Sequence, residues 1–222
     1  MLYSALIKNR KAYKTRLPPE NSDIMPYTVP KRQEEIEEGR LEPGLELDDF
    51  LNWTNVGPGS KVLDAGVGWH GRHYKPLRDK GCYVCGLDKN KANLEEAKEE
   101  LKKYGMPSNL VCGDMMQMPF REGTFDSVNS NALTPRHVQK WDDVMRVLKK
   151  GGKAYIKLIL EASHPPGYEE HDYMFSAEDA KRMFEPYNAD FKVSGLQTKL
   201  TEIDGTTIGQ TIRELAIKIE KT

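Results

Sequence analysis

Residues 61 to 74, Lys-Val-Leu-Asp-Ala-Gly-Val-Gly-Trp-His-Gly-Arg-His-Tyr, limit what this chain can fold into more than any other stretch. Val62 and Leu63 form a short apolar strand that ends in Asp64, and glycines follow at 66, 68 and 71. Glycine lacks a Cβ, so a turn rich in it admits positive φ and lets a ligand approach the main-chain N–H groups. A strand that passes through such a turn into a helix opens a parallel crossover. It places the turn at the carboxyl edge of the sheet, where ligands of open α/β folds bind.

Two chemistries fit this turn. Gly66-x-Gly68-x-x-Gly71 matches the dinucleotide fingerprint, and Asp88 lies at a suitable distance to hold a ribose. Asp64 shifts the balance, because a carboxylate two residues before the first glycine repels a pyrophosphate and welcomes a cationic amino-acid tail. Val-Leu-Asp-Ala-Gly-Val-Gly resembles motif I of the class I S-adenosylmethionine-dependent methyltransferases. The resemblance implies that Gly66 and Gly68 admit the methionine part of S-adenosyl-L-methionine and that Asp64 helps to orient its amino group. This sequence departs from the family's Asp-x-Gly-x-Gly-x-Gly in one respect: His70 holds the third glycine position and Gly71 comes one place late.

At 222 residues the chain can bury one sizeable core with an appended segment. Lys plus Arg number 33 against 34 Asp plus Glu, a net charge of −1, so nothing global marks a binder of nucleic acid or of a membrane surface. Ala5-Leu6-Ile7 is too short for a signal segment or a membrane span, and a cytoplasmic protein is expected. Three cysteines suit a reducing compartment rather than a disulfide scaffold. Cys82-x-x-Cys85 lies on an expected strand, where residues three apart face opposite ways, and no second pair completes a zinc set.

Residues 1–44 are expected to be a polar N-terminal arm and a short acidic helix; seven basic residues lie up to Arg32, and the stretch from 33 to 50 carries eight acids. Prolines at 18, 19, 26 and 30 exclude a long helix there. The arm is either a solvated tail or a lid that packs through Tyr13, Ile24, Met25 and Tyr27. The catalytic domain is assigned to residues 45–222. A buried helix is expected over Leu45 to Trp53, a first crossover helix over Arg72 to Lys80, and a second strand from Cys82 to Asp88. Asp88 suits ribose hydroxyls or a helix N-cap. Leu94, Ala97, Leu101 and Tyr104 predict the next helix, with Glu99 and Lys103 paired on its wet face.

Asn109 to Asp114 reads as a third strand and its exit; the family resemblance implies that Asp114 and the Met115 backbone hold adenine. Met115, Met116 and Met118 suit either a wall for that ring or the core. Phe125 to Val128 starts a fourth strand that Asn129-Ser130-Asn131 leaves at the ligand edge, which makes Asn131 a further cofactor candidate. Val138, Trp141, Val144, Met145 and Leu148 share a helix face, and Lys149-Lys150-Gly151-Gly152 ends it before a fifth strand, Lys153 to Leu160. Arg146-Val-Leu-Lys-Lys-Gly-Gly resembles the family's turn at this place, with Lys150 replacing its proline. Glu161 to Tyr173 is an irregular insertion, Ser176 to Asp179 carries a capping box, and Asp204-Gly205 marks a hairpin between two long strand-like runs.

The fold expected is α/β, Rossmann-like and doubly wound, with a mostly parallel sheet of about seven strands and a C-terminal antiparallel hairpin. The resemblance implies an S-adenosylmethionine-dependent methyltransferase, acting on a small-molecule or protein acceptor rather than on a long nucleic acid. If the acceptor must lose a proton, His137, His70, His73 and Tyr74 are the candidates by position, of which His137 and His70 are named as bases. An NAD(P)-dependent oxidoreductase and a non-catalytic cofactor-binding or interaction module are the alternatives.

Overall fold

The computed structural model describes residues 45–69, 71–133, 141–163, 173–195, 197–203 and 206–222; the expected N-terminal arm, His70 and His137 lie outside them. The described elements are, in order, α1 (Leu45–Thr54), β1 (Lys61–Ala65), α2 (Tyr74–Asp79), β2 (Tyr83–Asp88), α3 (Lys91–Lys103), β3 (Leu110–Cys112) and β4 (Phe125–Leu133). There follow α4 (Asp142–Val147), β5 (Leu148–Ser163), β6 (Tyr173–Met174), α5 (Ala177–Arg182), a 3-10 turn at Glu185–Tyr187, β7 (Asp190–Val193), β8 (Gln197–Ile203) and β9 (Thr206–Glu220).

All the strands join one sheet, in the order β3-β2-β1-β4-β5-β9-β7, with β6 paired to β5 and β8 to β9. The first five of that order are mutually parallel, whereas β9 runs antiparallel to β5, β7 and β8. β8 continues β7 along the same side of β9, and Ile203 pairs with Thr206 across the two expected turn residues. The α/β fold with a parallel sheet and a terminal antiparallel hairpin is therefore the one the sequence predicts.

Alternation along β1 divides the core. Leu63 and Ala65 face a cluster with Trp141, Val144, Leu148 and Phe184. Val62 faces the other side, with Leu47 and Phe50 of α1 and Tyr74 and Leu77 of α2. Cys82 belongs to the second cluster and Cys85 packs against the first, so the pair does sit on opposite faces.

Several boundaries differ from expectation. α2 starts at Tyr74 rather than Arg72, because Gly71 at φ 58° prolongs the turn and the Tyr74 N–H closes it onto the Gly71 carbonyl. β4 continues through Asn129-Ser130-Asn131 to Leu133, since β5 still offers a partner after β1 has ended. β5 passes through the Gly151-Gly152 break instead of starting after it. Gly151 takes φ 71°, and five steps along β5 match two along β4 before the ladder resumes. Glu161 to Ser163 belong to β5 as well. On α3 Glu99 pairs with Lys102 and Lys103 with Glu100, each one residue closer than the expected Glu99–Lys103 pair.

Candidate cofactor site

The turn after β1 is stitched to the end of β2. Gly66 and Val67 donate their N–H groups to the Leu87 carbonyl at 2.7 and 3.0 Å, and Gly68 donates to Asp88 Oδ2 at 3.0 Å. Gly66 and Gly68 take φ 80° and 64°, a region that costs other residues about 1–2 kcal/mol. A Cβ on Gly68 would touch nothing within 4 Å, so the main chain there borders open space. Gly86, in β2, lets the turn settle: a Cβ on it would lie 2.7 Å from a Leu110 methyl and 3.1 Å from Val67.

Asp64, Asp88 and Asp114 stand at the carboxyl ends of adjacent strands, as their positions in the sequence predict. Asp88 is half-buried and also accepts the Asn90 N–H through Oδ1 at 2.8 Å; each of its oxygens keeps a lone pair. The helix cap considered for Asp88 belongs instead to Asn90, whose side chain accepts the Ala92 N–H. Asp114 is exposed, accepts the Met116 N–H at 2.8 Å, and follows Gly113, which donates to the Asp88 carbonyl. Met118 is buried and Met115 and Met116 pack against the main core.

Beneath the turn lies a polar group that sequence reasoning did not assemble. Asp64 is 1% exposed and His73 5%, and both meet Asn129 of β4, which Asn131 meets in turn. Asn129 Nδ2 donates to Asp64 Oδ1 at 2.9 Å and lies 3.2 Å from His73 Nδ1, and Asn131 Nδ2 donates to Asn129 Oδ1 at 2.9 Å. Among the described residues, Asp64 Oδ2, His73 Nε2 and Asn131 Oδ1 are buried without a hydrogen-bond partner. The pairing of Asp64 with Asn129 across β1 and β4 makes this contact, and α2 brings His73 over it. Asn131 thus reaches the site as part of this buried chain rather than at a strand exit. Only its step of two from Asn129 was visible beforehand.

Of the other expected bases, Tyr74 is a structural pin. Its hydroxyl donates to the Val84 carbonyl at 3.0 Å and accepts the Asn109 N–H at 2.8 Å, and burial raises its pKa. Among the described residues no cluster of His, Cys, Asp and Glu could hold a metal. A cavity of about 340 Å³ opens at the opposite edge of the sheet, lined in part by Asp126, Lys149 and Lys153. Lys149 is already paired with Asp126, and Lys153 with the Trp53 carbonyl and ring, so these groups serve the fold.

A methyltransferase-domain family model matches residues 63–156, which run from β1 into β5 and include the glycine turn and all three acids. The match is to a methyltransferase domain, in keeping with the motif resemblance, and it covers the cofactor-binding part of the chain. This chain is 36% identical over 106 residues to 24-methylenesterol C-methyltransferase 3 of Arabidopsis thaliana, covering 46% of this chain and 30% of that enzyme. It is 37% identical over 119 residues to a sterol 24-C-methyltransferase of Saccharomyces cerevisiae, covering 51% and 31%. The chain therefore spans about a third of the length of the curated relatives it matches. A structure from Bacillus halodurans assigned as a methyltransferase superposes with a TM-score of 0.62 at 17% identity, over 80% of this chain and 99% of the other.

The residues of the site suit S-adenosylmethionine, the cofactor that the motif resemblance implies. A buried carboxylate with one unpartnered oxygen fits an ammonium group, and it would repel the pyrophosphate of a dinucleotide.

Proposed function

We propose that this chain transfers the methyl group of S-adenosyl-L-methionine to a small-molecule acceptor. The observation that carries the reading is the unpartnered Asp64 Oδ2, held in a 1% exposed carboxylate directly before the glycine turn. Asp64 would take the cofactor's ammonium, Gly66 and Gly68 would let its methionine part lie against the main chain, and Asp88 would accept from the ribose hydroxyls. Asp114 and Met115 would hold adenine. Asn131 supports Asp64 through Asn129.

The cofactor supplies an activated methyl group on a sulfonium. What the protein contributes is positioning, since a displacement at carbon depends on aligning acceptor and methyl. His137 and His70 stay the proposed bases for an acceptor that must lose a proton. The sterol C-methyltransferases matched over the cofactor-binding part support a sterol or similar apolar molecule as the first acceptor class to test. No described helix is long and apolar enough to cross a membrane.

Calorimetry with S-adenosylhomocysteine and with NAD tests the cofactor. We expect the first to bind and the second not to, and NAD binding alone would overturn the reading. Transfer of labelled methyl to a panel of sterols, small amines and proteins then tests the acceptor. Label in protein alone would replace the small-molecule assignment.

A further inference from the structure

We propose that Asn129 and His73 are positioning residues that fix the Asp64 carboxylate, so that Oδ1 is consumed inside the protein and Oδ2 is left for the cofactor's ammonium. The inference rests on the reading of the domain as a binder of S-adenosylmethionine.

The Asn129 carboxamide determines the arrangement. Its oxygen accepts from Asn131 Nδ2 at 2.9 Å, and its nitrogen lies 2.9 Å from Asp64 Oδ1 and 3.2 Å from His73 Nδ1. Turned over, the amide would set its oxygen against the Asp64 carboxylate, so the orientation is fixed by charge. An amide nitrogen carries two hydrogens, and each finds an acceptor only if His73 Nδ1 bears no proton. The imidazole is therefore neutral, with its proton on Nε2.

The distance from His73 Nδ1 to Asp64 Oδ1, 3.4 Å, agrees with this tautomer. A charge-assisted bond between imidazolium and carboxylate would draw the atoms to about 2.7–2.9 Å. Asp64 is 1% exposed, and among the described residues its Oδ2 meets no donor. A buried acceptor with no partner is costly, and a cationic ligand group removes that cost. Ser130 completes the frame from the other face of β4, donating to the Ala65 carbonyl at 2.7 Å and tying the end of β1 to β4.

The experiment compares two ligands on the full chain by calorimetry. S-adenosylhomocysteine carries the ammonium, and 5′-methylthioadenosine keeps the adenine, ribose and thioether but lacks the amino-acid tail. Asn129→Leu should weaken the first about tenfold or more and the second less than about twofold, the signature of a lost charged hydrogen bond rather than of a damaged fold. His73→Asn, which returns an amide oxygen near the position of Nδ1, should stay within about threefold of wild type for both ligands. His73→Gln, whose polar head falls near Nε2, should behave as Asn129→Leu does.

Nitrogen-15 NMR of the wild-type histidines gives a second readout that needs no variant, and should show His73 as the Nε2–H tautomer. Equal losses for both ligands, no loss for either, or an Nδ1-protonated His73 would each overturn the proposal. Failure of the wild-type chain to bind either ligand would instead remove the cofactor assignment, and this inference with it.

Discussion

At the residue scale, Asp88 joins a proposed task to a structural one. It stands where a ribose-binding acid is expected, and it also accepts the N–H groups of Gly68 and Asn90, so it shapes the turn it serves. Asp88→Ala should weaken S-adenosylhomocysteine binding by about 1–3 kcal/mol in calorimetry, with the circular dichroism spectrum unchanged. Unaltered affinity would take Asp88 out of the site. The cysteines offer a check of burial. Cys112 is exposed, Cys82 is buried, and desolvation pushes the Cys85 thiol up to about 11. Near a pH of about 8, roughly a thousandth of Cys85 is thiolate, and the thiolate is the reacting form. A disulfide reagent should therefore label Cys112 promptly and the other two only after unfolding. Fast reaction of two or three thiols in the native protein would contradict the packing.

At the scale of elements, α4 holds the segment that follows β3. Arg146 donates to both oxygens of Asp143 and to the carbonyls of Met118 and Phe120, and Asp143 accepts the Met118 N–H. The resemblance in sequence marked Arg146 only as part of a turn; its contacts reach 26 and 28 residues back along the chain and carry no local signature. The Arg146 hydrogen bond, helped by the Met118 N–H and opposed by burial, holds the Asp143 carboxyl below its ordinary range. A depressed folded pKa adds stability that is complete above the unfolded value of about 4 and is lost as the pH falls through the folded value. Arg146→Ala should thus cost about 1–2 kcal/mol near neutral pH, a modest figure because both groups are partly solvated, and less near a pH of about 3. Urea unfolding at the two pH values measures the difference. An equal cost at both would show that the ion pair does not contribute in this way.

At the scale of the molecule, the last strand lies inside the sheet. β9 is flanked by β5 on one side and by β7 and β8 on the other, and Leu215, Ile217 and Ile219 are fully buried. Each such side chain contributes about 1.5–3 kcal/mol by burial, and a domain's net stability is only about 5–15 kcal/mol. A chain ending before Thr206 should therefore fail to fold cooperatively, as judged by the loss of a sigmoidal thermal transition. A sharp transition in the truncated chain would mean that the parallel half is a domain by itself.

The amino-acid sequence alone determined the features that depend on neighbours along the chain. The glycine turn, the period of α3 and the hairpin around residues 204 and 205 are local matters of φ, side-chain spacing and turn chemistry, and so were three acids at three strand ends. Only the tertiary structure decided which polar groups meet. Asp64 and Asn129 are 65 residues apart, and it is the parallel register of β1 with β4 that sets them side by side. His73 joins them because Gly71 delays α2 until Tyr74, which leaves His73 on the last turn before the helix and over the end of β1. Burial then gives the contact its chemical weight, because a carboxylate cut off from water needs a partner for each oxygen, and no pattern in the sequence reports that need.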